Sequence, residues 1–253
     1  MKPAKDITLQ RINVLDDLGC VHAAYTLGDN NAWPMNQRNF RAQYEAVASE
    51  LGLCASDMVR VEQRHTAEVK VVQSEDAGEG VVRRNWDKAY DGIVTDAKEV
   101  VLSVNTADCT PVFLVDPSAC AIGLVHSGWR GTVGKISANA LKIMQQKYGC
   151  NAANIVAYIG PHICTNCFEF GKDDTYLLGD FACRPYVKDA GCGKKDKVLV
   201  DTSACIKDTL LECGLNAANI YESDSCSFES ADTLASYRRD HNKARTLSVF
   251  ALC

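Results

Sequence analysis

The chain has 253 residues, 47% of them hydrophobic, which is enough to build a substantial core and argues against disorder. Its net charge of -5 comes from 27 basic and 32 acidic residues spread along the chain, so no basic stripe is available to follow a nucleic-acid backbone. No apolar stretch reaches the about eighteen residues needed to cross a bilayer, and Met1-Lys2-Pro3-Ala4-Lys5-Asp6 leads into no signal-type segment. Neither nucleic acid nor membrane is expected as a partner, and a cytoplasmic location is expected. The thirteen cysteines, an odd number in a chain that is not small, read as mostly buried, reduced thiols and not as a disulfide framework.

Short β-like runs fill Ile7 to Thr26, and Gly28-Asp29-Asn30-Asn31 with Trp33-Pro34 marks a loop. Phe40, Tyr44, Val47, Ala48 and Leu51 recur at helical spacing, predicting a helix over Asn39 to Leu51 that Gly52 ends. Val59-Arg60-Val61 and Val69-Lys70-Val71-Val72 alternate like strands, placing His65 in their connection, and Gly78 to Asn85 reads as an exposed excursion. Asp91-Gly92-Ile93-Val94-Thr95-Asp96 opens a strand-rich region. Val100 to Val104, Pro111 to Val115 and Ala121 to His126 are short, β-branched and apolar, as strands buried on both faces are. Gly128-Trp129-Arg130-Gly131 then leads into a helix over roughly Val133 to Tyr148. Further on, Ile155 to Ile159, Ile220 to Ser223 and Leu247 to Ala251 read as strands, Asp173 to Phe181 and Ser203 to Cys213 as helices, and Asp189 to Lys197 as a Gly/Lys-rich loop. With no repeat and no interior linker, a single domain over residues 1–253 is expected.

Catalytic zinc commonly takes three ligands from His, Cys and carboxylate and keeps one position open. His65, Cys109 and His126 meet that count. Cys109 follows Thr106-Ala107-Asp108, so a thiol and a carboxylate break out of an apolar strand at one point, which packing alone does not require. His126 closes a later strand. Taken singly, each residue reads more simply as a buried thiol or a satisfied histidine, and the residue chemistry makes the trio one plausible site among five histidines and thirteen cysteines. Cys164-Thr165-Asn166-Cys167 is a lone Cys-x-x-Cys beside His162, for which a structural role is expected and a second metal is not.

Four ordered blocks carry a resemblance. Thr106-Ala107-Asp108-Cys109, His126-Ser127-Gly128-Trp129-Arg130-Gly131, Ile159-Gly160-Pro161 with Cys167-Phe168-Glu169-Phe170-Gly171, and Ser236-Tyr237-Arg238-Arg239-Asp240 resemble the signature blocks of the laccase-domain family, also called the polyphenol oxidase or multi-substrate purine nucleoside phosphorylase family. The resemblance runs from about His22 onward. It implies a mixed α/β fold with sheets packed between helices and metal ligands at His65, Cys109 and His126. It also implies a zinc enzyme that phosphorolyses adenosine, inosine, guanosine and methylthioadenosine and deaminates adenosine, working as a monomer or small homo-oligomer on nucleosides and phosphate.

Deamination needs a proton shuttle, for which Asp108 and then Glu169 are the candidates; either also reads as a carboxylate that only orients a ligand or caps a helix. Phosphorolysis needs a phosphate site, and Arg41, Arg130, Arg238, Arg239 and Arg245 are the candidates for its forked donors. Gly128 and Gly131 would let a backbone approach a ligand. Two departures bear on substrate choice: Thr26-Leu27-Gly28-Asp29 stands where family members carry a Thr-Arg-Gly-Gly-like loop, and Asp240-His241-Asn242-Lys243-Ala244-Arg245 replaces a more glycine-rich version.

Three other readings stand beside zinc phosphorolysis. A copper-dependent phenol oxidase fits the His and thiolate donors, but only five histidines and no His-x-His pair argue against a multicopper cluster. In a cysteine hydrolase, Cys109 would be the nucleophile and His126 its base. A non-enzymatic metal-binding protein would close its site with a fourth ligand.

Overall fold

The structure, a computed structural model, describes residues 7–28, 40–83, 88–183, 185–191 and 193–253. One sheet has five strands in the order β1 (Thr8–Arg11), β2 (Val21–Leu27), β14 (Thr246–Leu252), β6 (Val101–Thr106) and β3 (Met58–Arg60), with the one-turn α1 (Asn13–Asp16) joining β1 to β2. A second has six, in the order β13 (Ile220–Glu222), β9 (Val156–Ile159), β7 (Thr110–Asp116), β8 (Ala121–Ser127), β5 (Gly92–Thr95) and β4 (Val69–Val71). Both sheets are mixed: β3 runs parallel to β6, β4 to β5 and β13 to β9, while the central pairs are antiparallel.

The strand runs look continuously apolar because both of their faces are covered. Along β7, Phe113 and Val115 join Leu102, Val104 and Phe250 in the core between the two sheets. Val112 and Leu114, pointing the other way, pack under α4 (Ile136–Tyr148) and α5 (Thr202–Glu212) through Ile136, Ala140, Leu141, Met144, Ile206 and Leu210. Along β14, Phe250 and Leu252 face the same central core, whereas Leu247, Val249 and Ala251 meet Tyr44, Val47 and Ala48 of α2 (Phe40–Glu50). The result is four layers, helix, sheet, sheet and helix, and the expected mixed α/β class with sheets packed between helices is the fold observed.

Several local expectations change. The helix read over Val133 to Tyr148 is α4, which begins only at Ile136, because a separate short helix, α3 (Trp129–Val133), precedes it and Lys135, at φ 56°, turns the chain between the two. Asp173 to Phe181 lies in a 3-10 stretch, Lys172–Cys183, broken at Gly179. A three-stranded sheet of β10 (Glu169–Gly171), β12 (Lys197–Val200) and β11 (Val187–Asp189) flanks the segment read as a Gly/Lys-rich loop. Val81, in the supposed exposed excursion, is buried against the α2 core. Asp29 to Pro34 of the early loop, and Arg84 and Asn85 of the excursion, lie outside the described residues. Among the described residues only Cys150, Cys205 and Cys226 are buried cysteines, so the expectation that most would be buried is not met. Among the described residues no helix is long and apolar enough to cross a membrane.

Two connections pass from one sheet to the other at the same end of the sandwich. The β3–β4 connection carries His65, and the β6–β7 connection carries Asp108 and Cys109. The register of β7 on β8 sets Thr110 opposite Ser127 and Pro111 opposite His126, so Cys109 arrives beside the end of β8.

Candidate functional site

At that end the metal-binding atoms of His65, Cys109 and His126 all lie within 4.8 Å of one another. Cys109 Sγ is 3.6 Å from His65 Nε2, and the two imidazole rings meet edge to face with centroids 5.0 Å apart. His65 and Asp108 hold φ of 61° and 82°, left-handed conformations that non-glycine residues adopt only when their surroundings impose them.

Asp91 supplies that constraint for His65 and also orients the His126 ring. It is fully buried at the head of β5. One carboxylate oxygen accepts from the His65 backbone N–H at 3.0 Å and from His126 Nδ1 at 2.8 Å. The other accepts from the backbone N–H groups of Arg64 at 3.1 Å and Thr66 at 2.6 Å, and from the Thr66 hydroxyl at 2.8 Å. A single carboxylate thus fixes the His65 turn and the His126 ring. It also holds the His126 proton on Nδ1, which leaves Nε2 for a ligand. Gln63 ties the same turn to the other crossover: its amide donates to the Asn105 carbonyl at 2.8 Å and accepts the Asn105 N–H at 2.9 Å.

The charges are strongly coupled. Burial favours a neutral Cys109, but His126 first and His65 second outweigh it and hold the thiol at about 6. Burial also disfavours an imidazolium at His126, yet Cys109 and Asp91 raise it to about 9. For Asp91, burial acts upward and is overcome by His126 and Thr66, leaving it at about 2. A thiolate and two imidazoles converging on one point, with a buried carboxylate behind one of them, form a donor set suited to zinc or copper. The close backbone at Gly128 belongs to the same geometry. A Cβ there would stand 2.6 Å from His65 Cδ2 and 3.1 Å from Cys109 Sγ, so any side chain would occupy the space where the donors converge.

The cluster sits in the wall of a cavity of about 1000 Å³. Asp108, Arg238 and Arg245 line it, as do Arg60, His241 and Lys243, with Phe168 and Tyr237 contributing aromatic surface. Arg238 lies over the Phe168 ring at 5.3 Å. Arg245 is anchored by bonds from Nη1 to the carbonyls of Ala244 at 2.6 Å and Asn242 at 3.2 Å. The Asp108 carboxylate accepts from the Ser227 hydroxyl at 2.8 Å and the Arg238 backbone N–H at 2.7 Å, so it joins the Cys109 connection to the residues around α6 (Tyr237–Asp240).

The remaining candidates are placed elsewhere. Arg41 pairs with Glu45 on the exposed side of α2, and Arg130 is exposed, stacked 4.2 Å over Trp129. Arg239 turns away from the cavity: its guanidinium binds Asp240 and the carbonyls of Ser227, Phe228 and Leu234. Glu169 is engaged by Lys194. Asp91, Arg60, His241 and Lys243 were not singled out from the sequence. The one signal for Asp91 was a carboxylate set directly before an apolar strand.

A mixed α/β sandwich with His, Cys and His converging at the end where two connections change sheets defines a candidate metal enzyme. Residues 27–253 match the family described as "Multi-copper polyphenol oxidoreductase laccase", and the chain belongs to that family. It is 33% identical over 216 residues, 80% of this chain and 78% of the relative, to "Adenosine deaminase RL5" from an unknown prokaryotic organism. It is 30% identical to "Purine nucleoside phosphorylase YlmD" of Bacillus subtilis, covering 81% of this chain and 74% of that one. Among solved structures, the Bacillus licheniformis hypothetical protein YfiH superposes with a TM-score of 0.85 at 23% identity, covering 100% of this chain and 98% of that chain, which supports the fold alone.

Proposed function

We propose that the chain is a zinc-dependent purine nucleoside phosphorylase, acting in the cytoplasm on adenosine, inosine, guanosine and methylthioadenosine, that also deaminates adenosine. The observation that carries the reading is the convergence of His65, Cys109 and His126 in the wall of a cavity that is both basic and aromatic. Relatives named as purine nucleoside phosphorylases and as an adenosine deaminase support it.

His65, Cys109 and His126 hold the ion, and Asp91 orients His126 and the His65 turn behind them. When bound, zinc supplies Lewis acidity and lowers the pKa of water toward about 7. Phe168 and Tyr237 offer flat apolar faces to a purine, and Arg238 and Arg245 offer forked donors to phosphate. In phosphorolysis a phosphate oxygen forms a bond to the anomeric carbon while the bond to the purine nitrogen breaks, and that nitrogen takes up a proton. Deamination adds water at C6, whose oxygen replaces the amino group as the C6–N bond breaks and ammonia leaves with one of the water's protons, the other staying on the base. Asp108, beside Cys109 and lining the cavity, is the group assigned to proton transfer, with Ser227 and the Arg238 N–H holding its carboxylate. Glu169, engaged by Lys194, is the secondary candidate for that role.

The direct test incubates purified, metal-analysed protein with adenosine, with and without phosphate, and separates adenine and inosine by chromatography. Phosphate-dependent adenine and phosphate-independent inosine are expected. Neither product from zinc-loaded protein would sink the proposal, and Cys109→Ala should abolish both while leaving the protein folded.

The cysteine-hydrolase reading draws on the same atoms, since Asp91, His126 and Cys109 form a carboxylate, imidazole and thiol series. Such a series needs one imidazole on the sulfur, whereas here His65 Nε2 also reaches it, which favours a shared metal. Chelation separates the two: a hydrolase dyad survives chelator and loses activity to thiol alkylation. For the phenol-oxidase reading, copper-dependent oxygen uptake on a phenol is the deciding measurement.

A further inference from the structure

A second group of metal-binding side chains lies outside the site just described. Cys164 and Cys167 occupy the turn between β9 and β10, and Cys226 and Glu229 the segment between β13 and α6. A single bridge pairing His162 with Cys226 brings the two segments together. The three cysteine Sγ atoms and a Glu229 carboxylate oxygen all lie within 4.8 Å of one another. Cys167 Sγ and Glu229 Oε1 are 3.5 Å apart. A tetrahedral zinc with bonds of about 2.3 Å to sulfur and about 2.0 Å to oxygen separates those two ligands by about 3.5 Å, and two sulfurs by about 3.8 Å.

The two halves repeat one local form. In each, ligands three residues apart flank a tight turn: the Cys167 and Phe168 N–H groups donate to the Cys164 carbonyl at 3.0 Å, and the Ser230 N–H donates to the Cys226 carbonyl at 2.9 Å. The Cys164 N–H also donates to Cys226 Sγ at 3.3 Å, tying the two turns to each other. A cation bound between them would take these groups as thiolates and carboxylate, and a thiolate-rich set selects zinc over magnesium or calcium.

We propose that Cys164, Cys167, Cys226 and Glu229 form a second zinc site, structural and closed by four protein ligands. The first turn carries on into Ile163 and Phe168, which line the active-site cavity. The second carries Ser227, whose hydroxyl holds Asp108 and whose carbonyl accepts from Arg239. The ion therefore fastens the two segments that make one wall of the cavity. Metal binding here is independent of the proposed nucleoside chemistry.

Zinc content and cobalt titration of the full chain test this. With Cys109→Ser disabling the first site, the protein should keep one zinc per chain, and cobalt should give the strong sulfur-to-metal charge-transfer absorption of three thiolates. Cys226→Ser should lose that absorption and keep the weaker spectrum of the one-thiolate site. Because Cys226→Ser removes a buried group, Glu229→Gln at an exposed position provides the second variant. It should stay folded and release the second zinc to a chelator at least about tenfold more readily, given that partners one shell beyond the ligands already cost 10–100-fold. A Cys109→Ser protein that retains no zinc, a one-thiolate cobalt spectrum in that variant, or a disulfide among the three cysteines in freshly purified protein would each overturn the assignment.

Discussion

Asp91→Asn tests the organisation of the metal centre with the smallest change of shape. The native carboxylate accepts five hydrogen bonds, two on Oδ1 and three on Oδ2. An asparagine keeps one acceptor oxygen, which best serves the Thr66 side where three donors converge, so its amide NH2 faces the His65 N–H and His126 Nδ1. Two charge-assisted bonds worth about 1.5–3 kcal/mol each are then lost and a neutral one to His126 Nδ1, worth about 1 kcal/mol, replaces one of them, so the metal-free fold should be destabilised by about 2–5 kcal/mol. His126 must also become an acceptor at Nδ1, which moves its proton to Nε2, the nitrogen needed for metal. Loss of a partner of this kind weakens metal binding about 10–100-fold, equivalent to about 1.4–2.7 kcal/mol. Competition against a chromophoric zinc chelator measures the affinity, and urea denaturation of the metal-free protein measures the stability. Native zinc affinity in a folded Asp91→Asn protein would refute the argument that this carboxylate sets the His126 tautomer.

Gly128→Ala places a methyl 2.6 Å from His65 Cδ2 and 3.1 Å from Cys109 Sγ, so zinc binding and nucleoside turnover should fall by more than about tenfold, while the circular dichroism spectrum is preserved. Unchanged metal content and rate would show that the donors converge elsewhere. Arg245→Ala should raise the KM for phosphate in phosphorolysis by about tenfold, whereas Arg130→Ala, exposed and stacked on Trp129, should leave it within about twofold; the opposite ranking would reassign the phosphate site. Phe113→Ala, fully buried between the sheets with its ring 5.3 Å from Phe250 and 6.0 Å from Tyr158, should cost about 3–5 kcal/mol in urea denaturation, and a loss below about 1 kcal/mol would contradict the packing described.

The strands that build the sandwich were legible because burial on both faces leaves continuous runs such as Pro111 to Val115, and α2 and α5 because helical spacing ended at a glycine. The three-stranded sheet was not, since β10, β11 and β12 are short, partly exposed and set among lysines and glycines. The break before α4 escaped because no pattern marks Lys135 as left-handed. At the site, residue chemistry made His65, in a connection, with Cys109 and His126, near strand ends, only a plausible trio that the family resemblance singled out, and Asp91 was not legible: its role depends on the 35-residue separation to His126 closing in space. Arg238 and Arg239 are adjacent in sequence, and successive side chains on a helical turn point about 100° apart, so one lines the cavity while the other clasps backbone.

Several parts of the chain build the cavity, and they are not held in the same way. His65, Cys109 and His126 hang from sheet ends locked by Asp91 and Gln63, whereas Tyr237, Arg238, His241, Lys243 and Arg245 come from α6 and the short stretch before β14. Residues 237–245 thus supply a stretch of the cavity wall and, through the Arg238 N–H, also hold Asp108 beside Cys109, so a change in this segment retunes the lining and that carboxylate together. The departure at Asp240 to Arg245 is where such retuning would already be written into this chain.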